Sequence, residues 1–303
     1  MTETVEQVEY ISISQNQYYS PVFWRSLFHL FLAPIMANPQ EEKTSCYEET
    51  SMKLSRYGSL PSTLNVHGQW TKWKSMNLCG ANAKDRLCLI QMQTGYSNKP
   101  PLGMRTGFLL RDGMSTKDSI LAAAGDESQG LHAFNPDGIV FLPPLDPDSK
   151  SDRMDTELLR AESGTKNDIS FIFSIEVGED ERREQFAWRK VTKGDDQAKR
   201  NGFKLVRLFS SKDTLQMGSK RGQEPSSPLP PVSKDGETVA SLEWVMAWPS
   251  LTHAFTLELG DSQSELGSRW ALMVIVTAIR LYTLYVKGRT SKLVVDIGKK
   301  TTK

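Results

Sequence analysis

The stretch SRWALMVIVTAIRLYTLYVK, residues 268–287, decides how this chain folds. It contains no Gly or Pro, and it is too long for an average strand. Gly267 and Gly288 bracket it. Gly288 is placed as a helix C-cap, with Lys287 and Arg289 beside the negative end of the helix dipole. As a helix these residues reach about 30 Å. Apolar side chains cover nearly the whole circumference, so such a helix must be buried, either in protein or in lipid.

A membrane span needs about 20 mostly uncharged apolar residues. Here the uncharged run 270–279 is broken by Arg280 and resumes over 281–286. An arginine held deep in a bilayer costs about 2.5–3.5 kcal/mol on the insertion scale, a cost that snorkelling beside Lys287 and Arg289 would reduce. The residues upstream weigh the other way. They read as strands that need something to pack upon, and a closed sheet around one helix removes the strand edges and buries the helix together. The expected fold is therefore mainly β, a closed antiparallel β-barrel around a buried apolar C-terminal helix. The alternative is a membrane-anchored protein, with one transmembrane helix at 268–287 and its β part facing the cytosol. Arg280 reads as a core or rim arginine paired with an acid, or else as a lipid-head or ligand contact inside the barrel mouth.

Working back from the helix, short apolar runs alternate with turn residues from about Val66 onward, the rhythm of an all-β sandwich or barrel. In 253–259, Phe255, Leu257 and Leu259 share one face while Thr256 and Glu258 point away, which is period two. The run ISFIFSIEV (169–177) is rich in β-branched and aromatic residues. Asn135-Pro136-Asp137-Gly138 and Asp112-Gly113 are turn signals, because Pro presets φ and Gly permits a positive one. Residues 80–85 read as a hairpin loop, across which Cys79 and Cys88 are placed to face each other as a free buried pair rather than a disulfide. Residues 219–237 hold Pro225, Pro228, Pro230 and Pro231 among Ser and Gly, and are expected to form a disordered surface loop. The domain organisation is then a poorly ordered extension over 1–60, with one adhesive apolar segment at 21–36, and a barrel domain over 65–300.

The chain has 303 residues and a net charge near zero, so no global field argues for nucleic acid or for an acidic substrate. The charge is uneven, however. The first fifty residues carry mostly glutamate. The last stretch carries Lys287, Arg289, Lys292, Lys299, Lys300 and Lys303 against Asp296 alone. A basic tail is read either as a solvated, frayed end or as contact with an anionic membrane surface. Lys287, Arg289, Lys292, Lys299 and Lys300 are the candidate anionic-lipid contacts. Three cysteines, scattered histidines and the lack of an Asn-x-Ser/Thr acceptor give no zinc site and favour a reducing interior, cytoplasmic or peripheral to a membrane rather than secreted.

Several stretches resemble a group of uncharacterised fungal proteins: ILAAAGDES (120–128), FIFSIEVGEDERREQFAWRK (171–190), GFKLVRL (202–208), LTHAFTLELG (251–260) and LGSRWALMVIVTAIRLYTLYVKGRT (266–290). The order of elements is also similar to the Tubby, LURP-one-related and scramblase-like fold, in which twelve strands surround a central apolar helix. That resemblance implies a binding module, since some members bind phosphoinositide head groups through basic side chains on the barrel wall. It is a likeness of architecture without a residue motif, so no binding positions carry over.

Catalytic signatures are missing. There is no phosphate-binding Gly-rich loop, no Gly-x-Ser-x-Gly and no His-Glu-x-x-His. The acidic cluster Glu176, Glu179, Asp180, Glu181 and Glu184 reads as a solvated turn. Trp70 and Trp73 around Lys72 are expected to pack on the sheet rather than stack on bases. The sequence thus predicts a non-enzymatic binding module without a cofactor, contacting anionic lipid or a protein partner. An enzyme with an unfamiliar site is the remaining class.

Overall fold

Segments whose residues alternate between core and solvent pair edge to edge in chain order. The computed structural model describes residues 60–68, 74–128, 136–145, 153–164, 168–191, 201–208, 236–245, 252–261 and 263–301. The strands are β1 (Thr63–Gly68), β2 (Ser75–Cys79), β3 (Arg86–Thr94), β4 (Thr106–Arg111), β5 (Ile120–Asp126) and β6 (Gly138–Leu142). They continue as β7 (Asp155–Ser163), β8 (Ile169–Val177), β9 (Arg182–Lys190), β10 (Gly202–Leu208), β11 (Thr238–Trp244) and β12 (His253–Leu259). Two helices follow, α1 (Gln263–Val286) and α2 (Lys292–Thr301). Each strand pairs antiparallel with its neighbour in sequence, and β1 pairs with β12 to close the barrel. Closure leaves no free edge.

Twelve strands enclose more space than their own side chains can fill, since barrel width grows with strand number. The helix α1 supplies the filling. Trp270–Leu281 are all buried, as a helix walled on every side requires. By length and composition α1 could cross a membrane, yet 78% of its apolar window is buried inside the protein. The backbone of α1 lies closest to β5, β6, β8 and β12. The more distant β9, β10 and β11 turn bulky rings inward: Phe186, Trp188, Phe203 and Trp244. The β5 wall carries Ala122 and Ala124 instead. The near strands β8 and β12 add Phe171, Phe173 and Phe255, and together these side chains fill the barrel densely.

Both bracketing glycines have positive φ. Gly267, at φ 88°, breaks the helical path and separates a short first turn from the long rod. Gly288, at φ 68°, ends it. The Gly288 N–H donates to Tyr285 O (2.9 Å) and the Arg289 N–H to Leu284 O (2.8 Å), the paired bonds of a Schellman cap. A different constraint acts at Gly107 in β4, where an added Cβ would lie 2.1 Å from the backbone oxygen of Ala124. Gly107→Ala must push β4 and β5 apart, and should cost about 1–3 kcal/mol or more. A denaturant midpoint unchanged from wild type would refute this close approach.

Four expectations need correction. The β7 strand was not anticipated, because its interspersed Asp155, Glu157, Arg160 and Glu162 mask the buried Leu159 and Ala161. The basic tail is not a frayed end over 292–301. It forms α2, which packs against β7 and buries Val295. Cys79 and Cys88 are free and buried but do not face each other, since register sets Cys88 opposite Leu78 and a bulge sets Cys79 opposite Arg86. The acidic cluster is a turn only over 178–181. Glu176 and Glu184 sit in β8 and β9 and are bound by arginines. The extension 1–59, the segment 21–36, Trp70, Trp73 and nearly all of the loop 219–237 lie outside the described residues.

Candidate functional site

The two ends of the barrel differ in charge. Among the described residues, the turns at the end where α1 begins carry Asp85, Asp112, Asp118, Glu179, Asp180, Glu181, Glu237 and Asp261, against Lys84, Lys117 and Arg153. Arginines on the strands and helix bind this acidic end together. Arg207 holds Glu184 (2.6 Å) and Glu265 (3.2 Å), and Arg269 holds Asp155 (3.0 Å) and Glu176 (3.5 Å). Burial pushes the Glu184 carboxyl up, but Arg207 and Arg182 outweigh it and hold its pKa below the usual value. These are structural ion pairs, with Arg207 and Arg269 each held by two carboxylates.

The end where α1 finishes is built differently. Arg280 is fully enclosed, less than two turns before the helix terminus. Its Nη2 donates to Asp126 Oδ1 at 2.5 Å. Asp126 is the last residue of β5, and its other oxygen accepts a hydrogen bond from the Thr106 hydroxyl at the start of β4. Strand alternation and barrel closure set these two groups against the helix. Gly138, the first residue of β6, leaves room for the guanidinium, since an added Cβ there would sit 3.3 Å from Arg280 Nε. Arg289, just past the cap, donates through Nη1 to the same Asp126 Oδ1 at 3.2 Å and is only 16% exposed. Lys287 follows Arg280 by seven residues, which returns it to the same side of the helix.

Three cations therefore converge on one carboxylate. The neighbouring acids Glu127 and Asp137 are engaged by Arg160 (2.6 and 3.1 Å). Burial raises Asp126, but Arg280, the Thr106 hydrogen bond and Lys287 together bring its pKa below the ordinary value. For Arg280 burial is the larger influence, and it depresses the pKa despite Asp126. Its Nε and Nη1 find no acceptor among the described residues. Lys287 is exposed as a whole side chain, yet the protein around its ammonium desolvates it. That desolvation, with Arg280 and Arg289 adding to it against the pull of Asp126, brings its pKa down to about 8.

Of the basic residues singled out in the sequence, Lys287 and Arg289 meet at this site. Lys292 does not join them, but donates to Gly164 O (2.7 Å) in the β7–β8 turn and lies 3.6 Å from Asp296. Lys299 and Lys300 have their backbone in α2, while their side chains lie outside the described residues. Sequence reasoning singled out Arg280 as an isolated charge in an apolar run, but it did not find Asp126 or Thr106. They lie 154 and 174 positions away in the chain, and only the strand order brings them to the helix.

Exposed apolar side chains stand on two elements at the same end. Tyr96 (91% exposed) and Met104 (59%) stand on the β3–β4 turn, and Leu293 (71%) and Ile297 (36%) on α2. The turn is anchored by Leu102, which packs on Leu109 and Ala123 outside the barrel wall. No group of three or more His, Cys, Asp or Glu among the described residues is placed to hold a metal ion. The chain matches no protein-family model, no curated protein and no solved structure.

Proposed function

We propose that this protein is a non-enzymatic binding module that docks the C-terminal end of its barrel on an anionic membrane surface. The observation that carries this reading is the coincidence of two features on one end. Among the described residues, basic side chains (Lys99, Arg105, Lys287, Arg289, Lys292) and the exposed apolar residues Tyr96, Met104, Leu293 and Ile297 share it with the acids Glu127, Asp137 and Asp168, while the turns of the opposite end carry more acids than bases. An interfacial site combines apolar area with electrostatic attraction to anionic lipid, and an end-to-end charge difference orients the approach. The barrel around α1 supports the further reading that the chain belongs with the Tubby, LURP-one-related and scramblase-like architecture. A helix already covered by strands has little apolar surface to offer lipid, which favours docking over spanning.

The test is co-sedimentation of the full chain with phosphatidylserine-containing and neutral vesicles at two ionic strengths. Binding is expected with the anionic vesicles only, and it should weaken as salt rises. Tyr96→Ser combined with Leu293→Ser removes two exposed apolar side chains and should reduce binding about tenfold or more. Neutralising Lys287, Arg289, Lys292, Lys299 and Lys300 should weaken it further. Equal binding to neutral vesicles, or none to either, would overturn the reading.

A further inference from the structure

We propose that the β1–β12 seam is a proton-operated latch: His67 and His253 hold the barrel shut while both are neutral, and acidification loosens it at the end where α1 finishes. The device needs no ligand, so it stands whether or not that end docks on a membrane.

The argument begins at the pairing that closes the barrel. Val66 pairs with Phe255 and His67 with His253, so Ala254 bulges out of the register. A bulge interrupts the ladder, and this one falls at the end of β1 and the start of β12. The two imidazoles lie beside it, stacked with ring centres 4.5 Å apart and planes 21° from parallel. His253 is fastened in place, since its Nε2–H donates to Phe255 O at 3.2 Å. Thr256 Oγ1 lies 3.3 Å from the same nitrogen, and its hydroxyl donates to Asn65 Oδ1 at 2.8 Å. Asn65 in turn donates to Gly80 O (2.9 Å) and Ala81 O (3.2 Å) in the β2–β3 turn. This run of hydrogen bonds crosses the seam and holds His253 over His67.

Neutral rings stack without conflict, whereas two charged ones at this separation repel. Among the described residues neither histidine is paired with a carboxylate. On β2 the residue opposite His67 is the neutral Asn77. The titratable groups on the four strands around the pair are Cys79 opposite Asn65, Glu243 opposite Thr256, Glu258 opposite Thr63, and Lys74 just ahead of β2. Neither histidine owes its shift to them. Burial pushes both below the ordinary value, with His253 adding to the effect at His67 and the Phe255 carbonyl opposing it at His253. The seam is therefore fully stabilised above about pH 6.5, and it loses that contribution as pH falls through the lower folded values. On the inner side of the bulge, Phe255 packs on Tyr282 with ring centres 5.5 Å apart, and Trp244 stacks on Tyr285 at 5.0 Å. A loosened seam bares these rings at the mouth.

The test follows amide hydrogen exchange of the full chain by mass spectrometry at about pH 7.5 and about pH 5.5, each corrected for the intrinsic rate. Peptides covering β1 and β12 report the seam, and those covering β8 and β9 serve as the internal reference. Acid should speed exchange at the seam about tenfold or more relative to β8 and β9. His67→Phe keeps a ring in the stack that cannot be charged, and His253→Gln keeps a donor for Phe255 O. Each should abolish most of the gain. The ring protons of the wild-type histidines, followed by NMR, need no variant, and both rings should titrate below the ordinary histidine value. Equal acid effects at the seam and at β8–β9, a gain retained in either variant, or ordinary titration of both rings would overturn the proposal.

Discussion

Asp126→Ala is expected to lower the folding free energy by about 3–5 kcal/mol, the penalty for stranding a buried charge. Asp126 is the only carboxylate hydrogen-bonded to Arg280 among the described residues, and it also accepts from Arg289 and Thr106. Its loss leaves an enclosed guanidinium with no acceptor at all. The same physics predicts that Arg280→Met with Asp126→Leu recovers most of the loss, since an apolar pair carries no desolvation penalty. Chemical denaturation of the three proteins would decide the matter. Comparable losses in the single and double variants would show that the charge pair itself stabilises the barrel.

The pair also gives the fold an acid limit. Asp126 has a depressed pKa in the folded protein, so its contribution is fully present above the unfolded carboxyl value of about 3.9. That contribution is lost as pH falls through the lower folded value.

Trp188→Ala should cost about 3–5 kcal/mol, the range for truncating a fully buried aromatic. Trp188 has no exposed surface and fills the space between β9 and the helix. Its indole N–H donates to Thr277 Oγ1 at 2.9 Å, while the Thr277 hydroxyl turns back to Met273 O at 2.8 Å and Val274 O at 3.1 Å. Trp188→Phe separates the two contributions, because it keeps most of the ring volume but loses the hydrogen bond. A smaller loss, about 1–2 kcal/mol, is expected there. Equal denaturant midpoints for the two variants would mean that the indole volume contributes nothing to the core.

Much of this architecture could be read from residues 268–287 and their flanking glycines. A rod apolar on all sides admits few environments, and period-two runs upstream supplied a wall to enclose it. The individual strands were legible where alternation was strong, as in β8 and β12. They were not in β7, where Glu157 stands on the buried face and Leu158 on the exposed one, which blurs the alternation. The helix α2 escaped notice because its basic and apolar residues alternate around a ten-residue turn set whose helicity depends on docking against β7. The candidate site was half visible. Lys287, Arg289 and the isolated Arg280 could be named from the chain alone, because charge inside or beside an apolar run is a local signal. Asp126 could not, since nothing in its neighbourhood distinguishes it from the other aspartates. Its role arises from a pairing of distant segments, which no local pattern encodes.

In this chain the wall is translated before its plug. All twelve strands precede α1, so a ribosome releases a sheet with nothing yet inside it, and the seam between β1 and β12 joins residues about 190 positions apart. Until the rod emerges, the inward rings of Phe186, Trp188, Phe203 and Trp244 lack the helix that covers them and offer the nascent chain a sticky surface. Premature termination anywhere ahead of residue 268 would therefore yield an aggregation-prone husk rather than a smaller working barrel, and chaperone engagement during synthesis should persist until α1 clears the exit tunnel.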